Sequence, residues 1–264
     1  ILLASSMAEG RTVIRNAAIE PEIRSMIMML QKMGAIVELG AGREIEIIGV
    51  EKLHGCTHRV LPDRLEAASF ACIALATRGE IFCEDARHED LITFLNAVRM
   101  IGGEYKVEEN GIRFIGAPKY KGMQFETDTA PGFSTDWQQP FVCVLTQAEG
   151  TSVVHETVYQ ERFGYTKTLN DMWADIELFA NCLGELDCRF KDQNHKHSAV
   201  IKGPTSLKAT KMKVPDIRAG LAYVVAALVA DGTSELSDLF HLERGYEDLV
   251  GKLQAIGADI EIIE

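Results

Sequence analysis

The sequence predicts an α/β fold assembled from one unit of about 60–70 residues used four times. Two observations predict it. Residues 217–260 set out a full grammar. A small-residue apolar run, Ala219 to Ala230, reads as a buried helix, and Gly232 stops it. A short strand follows from Thr233 to Ser237, then a loop with Glu243, Arg244 and Gly245. A second helix puts Tyr246, Leu249, Val250, Leu253 and Ile256 on one face. Gly257 stops that helix, and Asp259 to Ile262 alternates as a half-buried strand does. The second observation is that this punctuation recurs. Gly10, Gly79, Gly150 and Gly232 break the first helices, and Gly34, Gly102, Trp173 and Gly257 end the second ones, at intervals of 24, 23, 23 and 25 residues. Spacing this regular marks an internal repeat.

The first unit opens in mid-helix, since residues 1–10 read as the end of a first helix. A strand from Thr12 to Arg15 follows. Glu20-Pro21-Glu22 then opens the second helix, with proline in its first turn and acids at its positive end. Ile23, Met26, Ile27, Leu30 and Met33 give that helix its apolar face. Strands over 36–39 and 45–48 complete the unit, and 50–59 reads as a connector, with a domain boundary near Arg59. The second unit runs from Val60 to about Lys119, with a helix over 65–77, an apolar face of Leu91, Phe94, Val98 and Ile101, and a closing strand over 112–115. The third opens at Pro131. Its second helix ends on Trp173 where the others have glycine, so a differently built terminus is expected, and it carries an extra segment over about 180–197. The fourth opens at Pro215-Asp216. Units one to three each have a further strand, ending in Gly49, Gly116 and Gly203, and the fourth does not. An unpaired strand edge is a liability, so an N-terminal segment absent from this chain is expected to supply the partner. With Ile rather than Met as the first residue, the chain is expected to be the C-terminal part of a longer protein.

The 264 residues are ample for a sizeable core. A net charge of −12 argues against a nucleic-acid partner, which needs clustered Lys and Arg. It leaves room for a small anion held by a few local arginines. No apolar run approaches the roughly 18 residues that span a bilayer. Ile1-Leu2-Leu3 lacks the basic flank of a signal peptide. Six cysteines in no dense framework (Cys56, Cys72, Cys83, Cys143, Cys182 and Cys188) point to reduced thiols in a cytoplasmic protein.

Asp63, Asp136 and Asp216 each stand at the opening of a first helix. The simplest role for each is a helix N-cap. Arginines at matched positions add a second possibility. Arg64 and Arg218 follow the aspartates, and Arg162 and Arg244 occupy the loops before the second helices of units three and four. Helix starts with arginines beside them make anion sites, whereas a single such arginine is usually a solvated charge. Cys182, Cys188, His195 and His197 offer zinc-ligand types, but their spacing fits no standard finger. The expectation is therefore a loop hairpin with free thiols and no metal. No phosphate-loop or GxGxxG motif occurs. Trp137 and Trp173 are expected to be packing groups rather than stacking platforms.

Five stretches carry a resemblance. RVLPDRLEA (59–67), PGFSTDWQQP (131–140), ETVYQERF (156–163), PDIRAG (215–220) and ERGYEDLVGKLQAIGADI (243–260) resemble, in order, the UDP-N-acetylglucosamine enolpyruvyl transferase family (UDP-N-acetylglucosamine 1-carboxyvinyltransferases). The resemblance covers nearly the whole chain. It implies a fold of two domains, each of three βαβαββ units around pseudo-threefold symmetry, an inside-out α/β barrel. Residues 1–59 would be the last unit of the N-terminal, catalytic-loop domain, truncated, and 60–264 the second domain. It implies transfer of the enolpyruvyl group of phosphoenolpyruvate to the 3-hydroxyl of UDP-N-acetylglucosamine, the first committed step of peptidoglycan synthesis. That step serves cell-wall biogenesis, cell shape and division in the cytoplasm, with no cofactor and no membrane or nucleic-acid partner.

The resemblance also implies roles by position. Asp136 would be the general base toward the 3-hydroxyl, and Arg218 and Arg244 would face phosphoenolpyruvate. Asp63, Arg64, Thr135, Val158 and Tyr159 would contact the nucleotide sugar. Glu20 and Glu22 would lie near the hinge side, and Arg162 would be the interdomain arginine of its loop. The family's reactive-loop cysteine or aspartate, its Lys-Asn pair and further cleft arginines match nothing in this sequence, so the chain alone is expected to be inactive. The segment near 180–197 is longer than in common members, and Trp173 replaces a usual glycine. Two other readings stand beside this one. One is a shikimate-pathway enolpyruvyl transferase, whose motifs match less well. The other is a non-catalytic paralogue that binds a nucleotide sugar or a partner protein.

Overall fold

A computed structural model describes residues 1–186 and 188–263. The chain divides into two compact units, one of residues 1–62 with 129–131, the other of 63–128 with 132–264.

The first unit contains α1 (Leu2–Ser5), β1 (Arg11–Ile14), α2 (Pro21–Lys32), β2 (Ile36–Leu39) and β3 (Ile45–Ile48). β3 lies between β1 and β2, antiparallel to both. Ile27 and Leu30 on α2 pack with Leu2, Val37, Ile45 and Ile47, while Ile23, Met26 and Met33 flank that core.

The second unit repeats this plan. It begins with α3 (Arg64–Ala76), β4 (Glu80–Glu84), α4 (Ile92–Met100), β5 (Glu104–Glu108) and β6 (Gly111–Ile115). Next come β7 (Tyr120–Lys121), β8 (Gln124–Glu126), α5 (Thr135–Leu145), β9 (Ala148–His155), α6 (Thr166–Asp171), β10 (Asp175–Phe179) and β11 (Ser198–Gly203). Last are β12 (Lys211–Lys213), α7 (Ile217–Val229), β13 (Glu235–Ser237), α8 (Phe240–Glu243) and α9 (Leu249–Ala255). β6 lies between β4 and β5, and β11 between β9 and β10, all antiparallel. β7 and β8 run parallel to β9, and β12 runs parallel to β13, across the crossovers made by α5 and α7. From β8 to β11 the order is βαβαββ.

α3, α5 and α7 each pack against the other two. Small side chains on α3 and α7 permit this. Ala67, Ala68, Ala71 and Ala74 on α3 and Ala219, Gly220, Ala222 and Ala226 on α7 are all buried. A helix apolar on every side must be covered on every side. Cys143 on α5 donates its thiol to the Ala222 carbonyl on α7 at 3.1 Å.

The repeating glycines have a shared cause. Gly49 donates its N–H to Gly10 O at 3.0 Å, Gly116 donates to Gly79 O at 2.8 Å, and Gly203 stands opposite Gly150 in the β9–β11 ladder. A Cβ on Gly49, Gly116 or Gly203 would fall 1.5, 2.4 or 2.6 Å from backbone atoms of Ala8, Arg78 or Ala148. The last strand of each unit therefore passes directly against the turn that follows the first helix. The expected glycine stops are only partly observed. At the end of α3 the left-handed residue is Arg78 (φ 57°) rather than Gly79, and Gly150 lies inside β9.

Three further expectations are corrected. Trp173 does not end α6 differently. It takes the left-handed conformation itself (φ 76°), and Ala174 N–H closes on Leu169 O at 2.9 Å, as Ala258 N–H closes on Leu253 O at 3.0 Å after Gly257. Trp173 is also 68% exposed, beneath the Lys208 ammonium, so it is no packing group, whereas Trp137 is buried. Residues 259–262 form no strand. The counterparts β2, β5 and β10 pair only with the last strand of their unit, and the fourth unit has no such strand among the described residues. Ile256 is correspondingly half-exposed.

Gly116→Ala is expected to lower stability by about 1–3 kcal/mol, because Arg78 backbone must move. A denaturant midpoint unchanged from the wild type would refute this. Burial pushes the Cys72 and Cys143 thiols up, and burial with Glu66 nearby holds Cys83 at about 12. A thiol-reactive dye should thus label exposed Cys56 in the native chain and reach these three only on unfolding.

Candidate functional site

Asp63, Arg64, Thr135, Asp136 and Arg218 gather where α3, α5 and α7 begin. Asp63 and Asp216 are N-caps, as the simplest role predicts. Asp63 Oδ1 accepts from Leu65 and Glu66 N–H at 2.7 and 3.1 Å. Asp216 Oδ1 accepts from Arg218 and Ala219 N–H at 2.8 and 3.0 Å. Asp136 differs. Ser134 caps α5, accepting the Asp136 N–H at 3.3 Å, and so places Asp136 inside the first turn.

The Asp136 carboxylate instead meets two guanidinium groups. Its Oδ1 accepts from Arg162 Nη2 at 2.5 Å, and its Oδ2 lies 3.4 Å from Arg218 Nε. The Asp136 side chain is 32% exposed, against 11% for Arg162 and 18% for Arg218, so the carboxylate is the part that solvent or a ligand reaches. Arg218 Nη1 donates to Tyr246 Oη at 3.2 Å, which in turn contacts Ser69 Oγ on α3 at 3.0 Å. Burial on its own would lower the Arg218 pKa. Tyr246, Asp136 and Asp63 outweigh it, and the net shift is upward. Burial raises the Tyr246 phenol, so it stays a neutral hydrogen-bonding group. Arg64 stacks over the Trp137 ring at 5.1 Å, joining the start of α3 to that of α5.

A second carboxylate organises the loop after β9. Glu156 is fully buried. Its Oε1 accepts from Val158 and Tyr159 N–H, both at 2.8 Å. Its Oε2 accepts from the Thr135 hydroxyl at 2.8 Å and from Gln138 Nε2 at 3.4 Å. Tyr165 holds Gln138 from the other side at 3.0 Å. Thr135, Val158 and Tyr159 are thus tied to one anion, and Tyr159 lies exposed under the Arg162 guanidinium.

The structure brings Asp136, Arg162 and Arg218 into contact but does not bring Arg244 to them. Arg244 is exposed beyond α8 and stacks on Phe240. Glu20 and Glu22 belong to the first unit, where Glu20 Oε1 accepts from Ala130 N–H at 3.5 Å. Glu156, Gln138, Tyr246 and Ser69 were missed by the sequence reasoning. Glu156, Gln138 and Tyr246 fall within the quoted motifs, and an acid two residues after the apolar Val153-Val154 was the available signal. Of the zinc-ligand types singled out, Cys182, Cys188 and His197 come together, joined by His155. His195 turns to Glu161 and Gln160 instead.

With this geometry established, comparisons define the family. Residues 1–253 match the family described as EPSP synthase (3-phosphoshikimate 1-carboxyvinyltransferase), and the chain belongs to it. Among curated relatives, the UDP-N-acetylglucosamine 1-carboxyvinyltransferase of Protochlamydia amoebophila is 51% identical across 100% of this chain and 57% of its own length. That of Chlamydia muridarum is 49% identical across 98% of this chain and 59% of its own length. The chain thus spans somewhat under three-fifths of these relatives. The enolpyruvyl transferase NikO from Streptomyces tendae superposes with a TM-score of 0.81 at 23% identity, over 98% of this chain and 58% of that one, which shows the shared fold. No helix among the described residues is long and apolar enough to cross a membrane.

Glu156→Ala strands two backbone N–H groups and a half-buried hydroxyl, and is expected to cost about 1–3 kcal/mol. It should also speed amide exchange at Val158 and Tyr159. Protection unchanged at those two amides would show that the carboxylate does not hold the loop.

Proposed function

We propose that the chain is part of an enzyme that transfers the enolpyruvyl group of phosphoenolpyruvate to the 3-hydroxyl of UDP-N-acetylglucosamine. That reaction is an early step in building peptidoglycan, and it would place the protein in the cytoplasm, in service of cell shape and division. Two relatives of that name at about half identity support it, and their greater length supports reading 1–59 and 60–264 as parts of two domains completed by further sequence.

The observation that carries the reading is the partly exposed Asp136 carboxylate flanked by two less exposed arginines. In the reaction the sugar hydroxyl loses a proton and bonds to the enolpyruvyl carbon, and inorganic phosphate leaves. A carboxylate within hydrogen-bond reach can take that proton. The long 3.4 Å contact between Oδ2 and Arg218 leaves that oxygen available. Arg218, with Arg244 joining from its loop, would balance the phosphate and carboxylate of phosphoenolpyruvate. Arg162 Nε is buried with no hydrogen-bond partner, which suits an anionic group at this wall. Asp63, Arg64, Thr135, Val158 and Tyr159 would contact the nucleotide sugar, with Glu20 and Glu22 toward the hinge.

The family description itself supports a second acceptor, shikimate 3-phosphate. Phosphate release by the complete gene product, with phosphoenolpyruvate and either acceptor, separates the two. Release with UDP-N-acetylglucosamine alone is expected, and release with neither acceptor would favour a non-catalytic paralogue. Asp136→Ala should lower kcat by about a hundred- to ten-thousand-fold while calorimetry still detects nucleotide-sugar binding. Near-normal turnover in that variant would remove Asp136 from the chemistry.

A further inference from the structure

The described residues between β10 and β11 lie against the end of β9, where four side chains come together. His155 ends β9, Cys182 and Cys188 lie in the segment, and His197 directly precedes β11. Their candidate ligand atoms all lie within 4.8 Å of one another. Both histidines are buried, at 0% and 1% exposure. Phe190, also buried, covers the His197 ring.

The hydrogen bonds around these rings settle where the protons sit. Ser198 Oγ donates to the Asn181 carbonyl at 2.7 Å, which uses its one proton. Ser198 must therefore accept from His155 Nδ1, 2.8 Å away. In the neutral ring this leaves His155 Nε2 as a bare lone pair. His197 Nδ1 lies 2.6 Å from the His195 carbonyl, which can only accept, so His197 Nε2 is a lone pair as well. It faces Cys182 Sγ at 3.3 Å. His155 Nε2 is buried with no hydrogen-bond partner. A buried, unsatisfied polar atom of this kind calls for an explanation.

We infer that His155, Cys182, Cys188 and His197 bind one zinc ion through two imidazole Nε2 atoms and two thiolates. Two sulfurs and two imidazole nitrogens in a closed, buried set are the ligands of a structural tetrahedral zinc. Bonds of about 2.0–2.3 Å require ligand separations of roughly 3.3–3.8 Å, so the side chains close in by about 1.5 Å at most. Ser198 and the His195 carbonyl are the outer partners that orient the two rings. Zinc displaces one proton from each thiol, and no other bond changes. With four protein ligands no position is left open for substrate, so the ion is a staple. It ties the loop over 180–197 to β9, one residue before Glu156.

The test is the zinc content of the purified chain after incubation with zinc chloride and removal of unbound metal. About one ion per chain is expected, none in Cys182→Ser/Cys188→Ser or His155→Ala, and about one in His195→Ala. Since the zinc-free variants could fail to fold, wild-type chain loaded with cobalt(II) chloride gives a second readout. Strong visible bands of tetrahedral cobalt and a thiolate-to-cobalt charge-transfer band are expected, both absent from the double cysteine variant. A wild type that binds no zinc, a double variant that keeps it, a dependence on His195 in place of His155, or a Cys182–Cys188 disulfide in the native chain would each overturn the assignment.

Discussion

The close packing of three buried helices, two of them rich in small residues, governs this structure. α3, α5 and α7 are apolar on nearly every face, so each is stable only when covered by the other two. The alanines and glycine of α3 and α7 let the backbones approach, and large side chains, Phe141 on α5 and Phe94 and Tyr246 from the flanking layers, fill the remaining space. One consequence is that the starts of the three helices meet. Arg64 at the head of α3 stacks on Trp137 in α5, and Arg218 at the head of α7 pairs with Asp136 in α5. Three positive helix ends repel one another, and an aspartate at each of them, Asp63, Asp136 and Asp216, offsets that repulsion.

Most of this architecture was legible because the repeat is written in residues with local consequences. The strands over 36–39 and 45–48 agree with the alternation, and Leu91, Phe94, Val98 and Ile101 form the predicted apolar face, all fully buried. What misled was the assumption that each conspicuous glycine stops a helix. Gly79 and Gly150 lie where another strand's glycine crosses them, a contact between residues distant in sequence, and it is the crossing Gly116 and Gly203 that a Cβ would obstruct. Trp173 misled in the opposite sense: a left-handed helix end can be built without glycine when the side chain points to solvent. The alternation over 259–262 is a pattern without a partner, and a strand exists only when something pairs with it.

The 180–197 segment shows where linear spacing fails altogether. Cys182, Cys188 and His197 carried a signal, but His155 is 27 residues before Cys182 and reads as the end of an apolar strand. His195, nearer in sequence, belongs to another contact. Only the pairing of β9 with β11, which sets Ser198 opposite His155, brings the fourth side chain to the other three. The same pairing places Glu156 beside the cluster, so the loop over 156–162 is held by its own buried carboxylate and flanked by a stapled segment.

The difference between Asp136 and its two counterparts shows how a repeat acquires chemistry. In the first helices of the second and fourth units the aspartate directly precedes the helix and is consumed as a cap, both contacts made by one oxygen to its own backbone. In the third unit Ser134 performs that task and Asp136 moves two residues onward, into the first turn. There its carboxylate turns to Arg162 and Arg218, while Ser134 makes the cap. The favourable electrostatics of an acid near a helix N-terminus remain, but its hydrogen-bonding capacity is released to the neighbouring elements. Arg162 and Arg218 take it up while leaving about a third of the side chain open. A two-residue shift within one copy of the module thus turns a structural carboxylate into one that can meet a ligand.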